Sequence, residues 1–217
     1  LPSAPAADIL EKVEIVLESG TAVFSVGLGN PGPELVARCH AKGMRVIAMA
    51  THREDALALD ASGVDAIVAQ GGEAGGHRSH FAKPADAGFG AVRTFVLVPE
   101  IVDAVRVHVI ASGGIVVGRR LVAARALGAQ AAMFGTRFLA TQESTAVAAY
   151  KQALLAASSG DTMVTDVASG RYARVIRNAF TARYGDGPVL PFGWQGSAVA
   201  DLFQGAREVG NADYMGL

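Results

Sequence analysis

Residues 109–138 read VIASGGIVVGRRLVAARALGAQAAMFGTRF and contain one full structural repeat. An apolar run (VIAS, 109–112) ends in GGI. GRRLVAARALG (118–128) then carries apolar residues at helical spacing and stops at Gly128, and a second apolar run (AAMF, 131–134) ends in GT. Short apolar runs without polar alternation suit strands covered on both faces, as in a parallel sheet. A glycine just past the last periodic residue is a helix stop. Strand, glycine loop, helix and strand in that order make a right-handed βαβ unit.

The same grammar extends upstream. Further strands are predicted at 22–26 (AVFSV, then GLGNPG), 46–50 (VIAMA) and 66–70 (AIVAQ, then GGEAGGH). Helices are predicted at 33–42 (PELVARCHAK, started by Pro33 and stopped by Gly43), at 53–63 (REDALALDASG) and at 99–106 (PEIVDAVR, started at Pro99). An amphipathic helix over 8–18 feeds the first strand. The fold class is therefore α/β with a parallel sheet. Five strands within 22–134 amount to about 25 residues per βα unit, so a closed (β/α)8 barrel of about 200–250 residues would need three more units. Either the sheet is open, or it is part of a barrel whose first units lie upstream of Leu1. Residues 141–217 read as helical and irregular, giving an expected division into 1–140 and an added segment, 141–217.

Composition excludes several classes. Of 217 residues, 51% are hydrophobic, which is too many for a disordered chain. With 19 Lys and Arg against 20 Asp and Glu there is no long-range field to draw a polyanion, so nucleic acid is not an expected partner. The lone Cys39 makes no internal disulfide, and neither a signal peptide nor an apolar stretch of about 18 residues is visible. The reading is a soluble, cytoplasmic protein with no membrane partner.

Chemistry is expected where glycines cluster after strand ends, because α/β folds place ligands there. AQGGEAGGHR (69–78) has four glycines and one histidine beyond a strand: Gly75 and Gly76 let the backbone approach a flat or charged ligand, and His77 projects at the strand's mouth. The bland alternative is a tight turn with a surface histidine. ASGGI (111–115) and FGTRF (134–138) close the last two strands, where barrels hold phosphate on backbone N–H groups. Neither is a Walker A or GxGxxG sequence, so ATP and NAD sites lack support.

GVDAIVAQGGEAGGHR (63–78), LVPEIVDAV (97–105) and VIASGGIVVGRRLVAARALGAQAAMFGTRFLAT (109–141) together resemble the nitronate monooxygenases, formerly 2-nitropropane dioxygenases. The resemblance spans 23–191. It implies an FMN-dependent TIM barrel in which these strands are the fourth to the eighth, and upstream units that add flavin contacts. It also implies that Gln70, Gly75 and Gly76 contact the flavin, that Gly113, Gly114, Met133, Phe134, Gly135 and Thr136 lie near its phosphate, and that His77 is the catalytic histidine. No metal is implied. The implied reaction is oxidation of alkyl nitronates, and of nitroalkanes after loss of a proton, with O2 to a carbonyl compound and nitrite. A neutral imidazole of pKa about 6.5 suits that proton transfer. The sequence departs from the family pattern at Ser79, Val117 and His108, which touches loop geometry more than chemistry.

Other residues read as structural. Cys39 shares a helical face with Leu35 and Val36, and His40, His52 and His80 lack companions at zinc-ligand spacing. Glu73 orients its loop, and Trp194 caps the added segment. Arg171, Arg174 and Arg177 form a solvated or packing face, anion binding being the sharper reading. Two other functions compete: the related flavin-dependent enoyl-acyl-carrier-protein reductase, which uses NAD(P)H, and a flavin-holding barrel without turnover. VAQG before the loop and Arg78 after His77 look more like the monooxygenase.

Overall fold

The apolar runs become strands within one residue of their expected ends. The computed structural model describes residues 6–81 and 92–216; the stretch 82–91, inside the span of the family resemblance, and both extreme termini lie outside them. In chain order the elements are α1 (Ala6–Glu18), β1 (Val23–Val26), α2 (Gly32–Ala41), β2 (Arg45–Ala50), α3 (Arg53–Ala61), β3 (Ala66–Gln70), β4 (Gly76–His77), α4 (Thr94–Val102), β5 (His108–Ser112), α5 (Gly118–Ala126), β6 (Ala131–Met133), α6 (Thr136–Leu139), α7 (Ala148–Ala156), β7 (Thr162–Thr165), β8 (Ala173–Ile176), α8 (Ala179–Tyr184) and α9 (Trp194–Glu208). Among the described residues no helix is long and apolar enough to cross a membrane. They divide into two compact units, residues 6–72, 79–81 and 92–133, and residues 73–78 and 134–216.

The first unit is a five-stranded sheet of order β1-β2-β3-β5-β6, with every pairing parallel. β3 lies at its centre and all five of its residues are buried, as its unbroken apolar pattern requires. Burying a side chain such as Ile67 or Val68 contributes about 1.5–3 kcal/mol. Polar side chains just before two strands fix the register. Asp65 accepts from the Val46 amide (2.8 Å), from His40 (2.8 Å) and from Arg45 (2.7 Å). Burial opposes ionisation there, yet these donors hold the carboxyl below its ordinary pKa. Gln130 does the same before β6, its side-chain oxygen accepting the Val109 N–H at 2.7 Å. The expected helix stops also appear, with positive φ at Gly43, Gly63 and Gly128.

One boundary differs. The helix expected to start at Pro99 starts at Thr94 and carries Pro99 inside it. Proline there removes only the bond to the carbonyl of Phe95, a residue 71% exposed, where water can satisfy the oxygen. The apolar run 95–98 had no helical period of its own, and the proline was the stronger local cue.

The second unit holds an antiparallel sheet of order β4-β8-β7 and the helices from α6 onward. The helical character expected of 141–217 is present, but the β7–β8 pair was not foreseen. Asn178 caps α8, accepting from the Thr181 amide at 3.0 Å and donating to the carbonyls of Ala212 (3.1 Å) and Met215 (2.9 Å). Phe180 is buried beside Phe203, ring centres 4.9 Å apart and edge to face. Buried Gln195 ties the Val167 carbonyl (2.7 Å) to the Leu190 amide (3.0 Å).

Candidate active site

In the first unit the glycine loops are knitted together at the C-terminal ends of β3 and β5. Gln70 is buried as the last residue of β3, and its side-chain oxygen accepts the Ser79 N–H at 3.0 Å. Ser79, where the family pattern has glycine, also donates its hydroxyl to the Met49 sulfur at 3.3 Å, so this departure is absorbed by packing. Gly71 donates to the Ser112 carbonyl at 2.8 Å. A Cβ on Gly71 would sit 2.5 Å from the Thr94 nitrogen and 2.7 Å from its Cα, so no side chain fits. The Thr94 hydroxyl in turn donates to the Gly113 carbonyl at 3.0 Å. Gly113 and Gly114 follow with φ of 112° and 66°, a conformation that favours glycine. Arg120 donates to the Gly114 carbonyl at 2.6 Å. Met133 ends β6, half-buried.

Two further histidines meet at one threonine. Buried His80 and partly buried His52 each place Nδ1 against the Thr51 hydroxyl, at 2.9 and 3.0 Å. His52 also lies 3.4 Å from the Asp55 carboxylate. Among the described residues no cluster of His, Cys, Asp or Glu fits a metal.

In the second unit the predicted residues Gly75, Gly76, His77, Phe134, Gly135 and Thr136 are joined by groups that sequence reasoning left aside. A Cβ built on Gly75 would lie 3.2 Å from the Thr136 hydroxyl, so these two loops touch. At Gly76 and Gly135 the corresponding direction is open space. The N–H groups of Thr136 and Arg137 open α6, where no preceding turn supplies an acceptor. Phe134 packs edge to face on Phe138. Exposed backbone donors beside side-chain-free space suit a phosphate and a flat ring, so the residues present fit a flavin nucleotide.

His77 sits on a strand, not in a turn. β4 pairs with β8, His77 opposite Ala173, and the Arg78 N–H donates to the Tyr172 carbonyl at 2.8 Å. Its Nε2 lies 2.8 Å from the Ser169 hydroxyl. That hydroxyl donates to the Arg171 carbonyl at 3.1 Å and accepts the Arg171 N–H at 3.3 Å. Since a hydroxyl has one proton, Nε2–H is the donor in the neutral ring, and the basic lone pair is on Nδ1. Phe192 meets the imidazole edge to face at 5.7 Å, and the Arg171 guanidinium lies over the same phenyl ring at 5.9 Å. Gly170 allows this approach: at φ 84° it has no Cβ, which would otherwise lie 2.7 Å from the Phe192 nitrogen. His77 keeps an exposed face, yet desolvation by the surrounding protein first, and then the Arg171 cation, lower its pKa from the ordinary imidazole value. Both effects favour the neutral ring.

Gln70, Gly113, Gly114 and Met133 belong to the first unit and the remaining predicted residues to the second. Sequence reasoning missed Ser169 and Phe192 and assigned Arg171 to a solvated or packing face. The one signal available was ASGRYAR, whose glycine turn precedes a β-branched run. Three comparisons bear on this arrangement. The family model described as nitronate monooxygenase matches residues 4–217. A probable nitronate monooxygenase of Staphylococcus saprophyticus is 35% identical over 206 residues, covering 94% of this chain and 58% of the relative; one of Staphylococcus aureus is 36% identical over 205 residues, covering 93% and 57%. Among solved structures, a nitroalkane oxidase from Streptomyces ansochromogenes superposes with a TM-score of 0.92 at 33% identity, covering 96% of this chain and 60% of that one. FabK from Thermotoga maritima gives 0.77 at 31%, covering 99% and 64%. The chain thus spans about three-fifths of the length of these relatives, and its α/β fold with a parallel sheet is theirs. By motif, fold and family match, the chain belongs to the nitronate monooxygenase family.

Proposed function

We propose that this chain is the base-carrying part of an FMN-dependent oxidoreductase that oxidises alkyl nitronates with O2 to a carbonyl compound and nitrite. Residues 1–140 supply the fourth to eighth units of a (β/α)8 barrel, and 141–217 the added segment. The observation that carries the reading is His77, held by Ser169 and kept neutral beside Arg171. Gly135 and Thr136 offer backbone N–H groups to the FMN phosphate, with Gly114 as a further donor. Gln70, Gly75, Gly76, Gly113, Met133 and Phe134 complete the expected contacts. When bound, the flavin supplies the electron acceptor for the oxidation.

The chain's own residues handle the proton. For a neutral nitroalkane, the C–H proton passes to the imidazole lone pair and the C–H electrons enter the C–N bond, leaving charge on the nitro oxygens. A nitronate arrives already deprotonated, and His77 then orients it. The reaction on a nitroalkane needs neutral His77, so its rate should rise with pH to a plateau, with a midpoint below the ordinary imidazole pKa. The test is the absorbance spectrum of the full-length protein during anaerobic addition of propionate 3-nitronate. Bleaching of a bound flavin supports the proposal. Faster bleaching by NADH, with no response to the nitronate, favours the enoyl-acyl-carrier-protein reductase, and bound flavin that responds to neither favours a barrel without turnover.

A further inference from the structure

Two loop segments hold His77, and one buried side chain joins them. Ser169, in the turn between β7 and β8, bonds to the ring's Nε2, and Phe192, just before α9, meets the ring edge to face. The segments touch at Gly170, where a Cβ would lie 2.7 Å from both the Pro191 carbonyl carbon and the Phe192 nitrogen. Gln195, in the first turn of α9 and 8% exposed, reaches both. Its side-chain nitrogen donates to the carbonyl of Val167, two residues before Ser169, at 2.7 Å, and its oxygen accepts the N–H of Leu190, two residues before Phe192, at 3.0 Å. The linkage continues to the base itself. The Val167 N–H donates to the Thr165 hydroxyl at 3.3 Å, Thr165 pairs with Ala173, and Ala173 pairs with His77.

We propose that Gln195 is a positioning residue for proton transfer: by clasping Val167 and Leu190 together it keeps Ser169 and Phe192 seated on His77. The inference rests on the function proposed above and names a residue that governs its proton step from outside the reacting atoms. A primary amide carries a donor and an acceptor at one end, so a single glutamine satisfies a carbonyl and an N–H from different segments at once. An apolar side chain of similar size would leave both main-chain groups without that partner, and each segment would then shift to recover a hydrogen bond. Either shift loosens His77. Loss of the Ser169 contact lets the ring proton settle on Nδ1 or Nε2, and loss of the Phe192 contact lets the ring turn. Proton abstraction from carbon needs the imidazole lone pair aligned with the C–H bond, and a displacement of about 1 Å lowers such a rate by about 100-fold. A preformed nitronate has no proton to give and depends far less on this alignment.

The test uses the flavin-loaded full-length protein and two variants: Gln195→Leu, which removes both bonds, and Gln195→Glu, whose carboxylate keeps the bond from Leu190 and loses the one to Val167. In Gln195→Leu, kcat for nitroethane per flavin-loaded molecule should fall about tenfold or more, while oxidation of preformed ethyl nitronate falls less than about threefold. Nitrogen chemical shifts of His77 should change from one tautomer to a mixture. Gln195→Glu should show the same mixture, because the Val167 side carries Ser169. Unchanged His77 signals in Gln195→Leu overturn the inference whatever the turnover, for a residue that only stabilises the fold leaves the histidine of the folded molecule as it was. Equal losses on the two substrates overturn it as well. Should Gln195→Leu fail to fold, unchanged His77 signals in Gln195→Glu overturn it equally. Altered His77 signals in a protein that oxidises neither substrate would sustain the clasp while sinking the proposed reaction. A wild type that oxidises both substrates, with Gln195→Leu its equal, would do the reverse.

Discussion

The first unit and the second are built from contacts of different reach along the chain. In the first, strands pair with their successors in order: Phe24 lies against Val46, Ala48 against Ile67, Ile67 against Val109, Ala111 against Ala132. In the second, His77 pairs with Ala173 and bonds to Ser169, 92 residues away, and the same ring meets Phe192. A repeat of local pairings builds a scaffold whose glycine loops are bonded together at its strand ends. Long-range pairings bring titratable and charged groups to one place. The lesson is that support and chemistry are encoded at different ranges, and substitutions should separate them.

The sharpest break of this contrast is at Gly71. Replacing it with Leu drives a side chain into the Thr94 main chain, and the first unit should lose about 4 kcal/mol or more, as in the most damaging overpacking changes. The urea midpoint reads this, and an unchanged midpoint would show that the loop is not packed as described. Gly135→Leu should act in the opposite manner. Its Cβ direction is open, so stability should change by less than about 0.5 kcal/mol. Flavin affinity, however, should fall about 100-fold, roughly 2.8 kcal/mol. Flavin fluorescence on titration into the apoprotein checks this, and undiminished affinity would remove Gly135 from the binding set.

The same contrast explains what could be read from the sequence. The strand 66–70 was legible because its burial on both faces leaves an unbroken apolar run, and Gly128 because a helix stop is a local event. α4 was misplaced because Pro99 is an ambiguous mark, common at a helix start and tolerable inside one. His77 stood out by chemistry and position in its loop, but its partners did not. Ser169 and Phe192 carry no motif that singles them out, and Arg171 is one of three cations assigned to a solvated or packing face. Only the β4–β8 pairing brings them together, and a two-residue strand has no period to reveal it.

Smaller effects sharpen the second unit. Ser169→Ala removes the acceptor of His77 and frees its tautomer. Since such a bond contributes about 0.5–1.5 kcal/mol, kcat/KM for nitroethane should fall up to about tenfold with flavin still bound. Nitrogen chemical shifts of His77 should show mixed tautomers; a single unchanged tautomer would contradict the hydrogen-bond assignment. Asn178→Ala, at the α8 cap, should cost about 1 kcal/mol of stability and leave turnover per folded molecule unaltered. A loss of turnover larger than the loss of folded protein would show that the cap also governs the chemistry.

The central claim is that His77 is a neutral base poised for a carbon acid, and His77→Asn tests it most directly when assayed on two substrates. With flavin bound as in wild type, oxidation of neutral nitroethane should fall by about 10²- to 10⁴-fold, the usual contribution of a general base. Oxidation of preformed ethyl nitronate, whose proton is already gone, should fall far less. Equal losses on both substrates would make His77 a positioning residue, and no loss on either would contradict the account, leaving a surface histidine on a glycine-rich strand end.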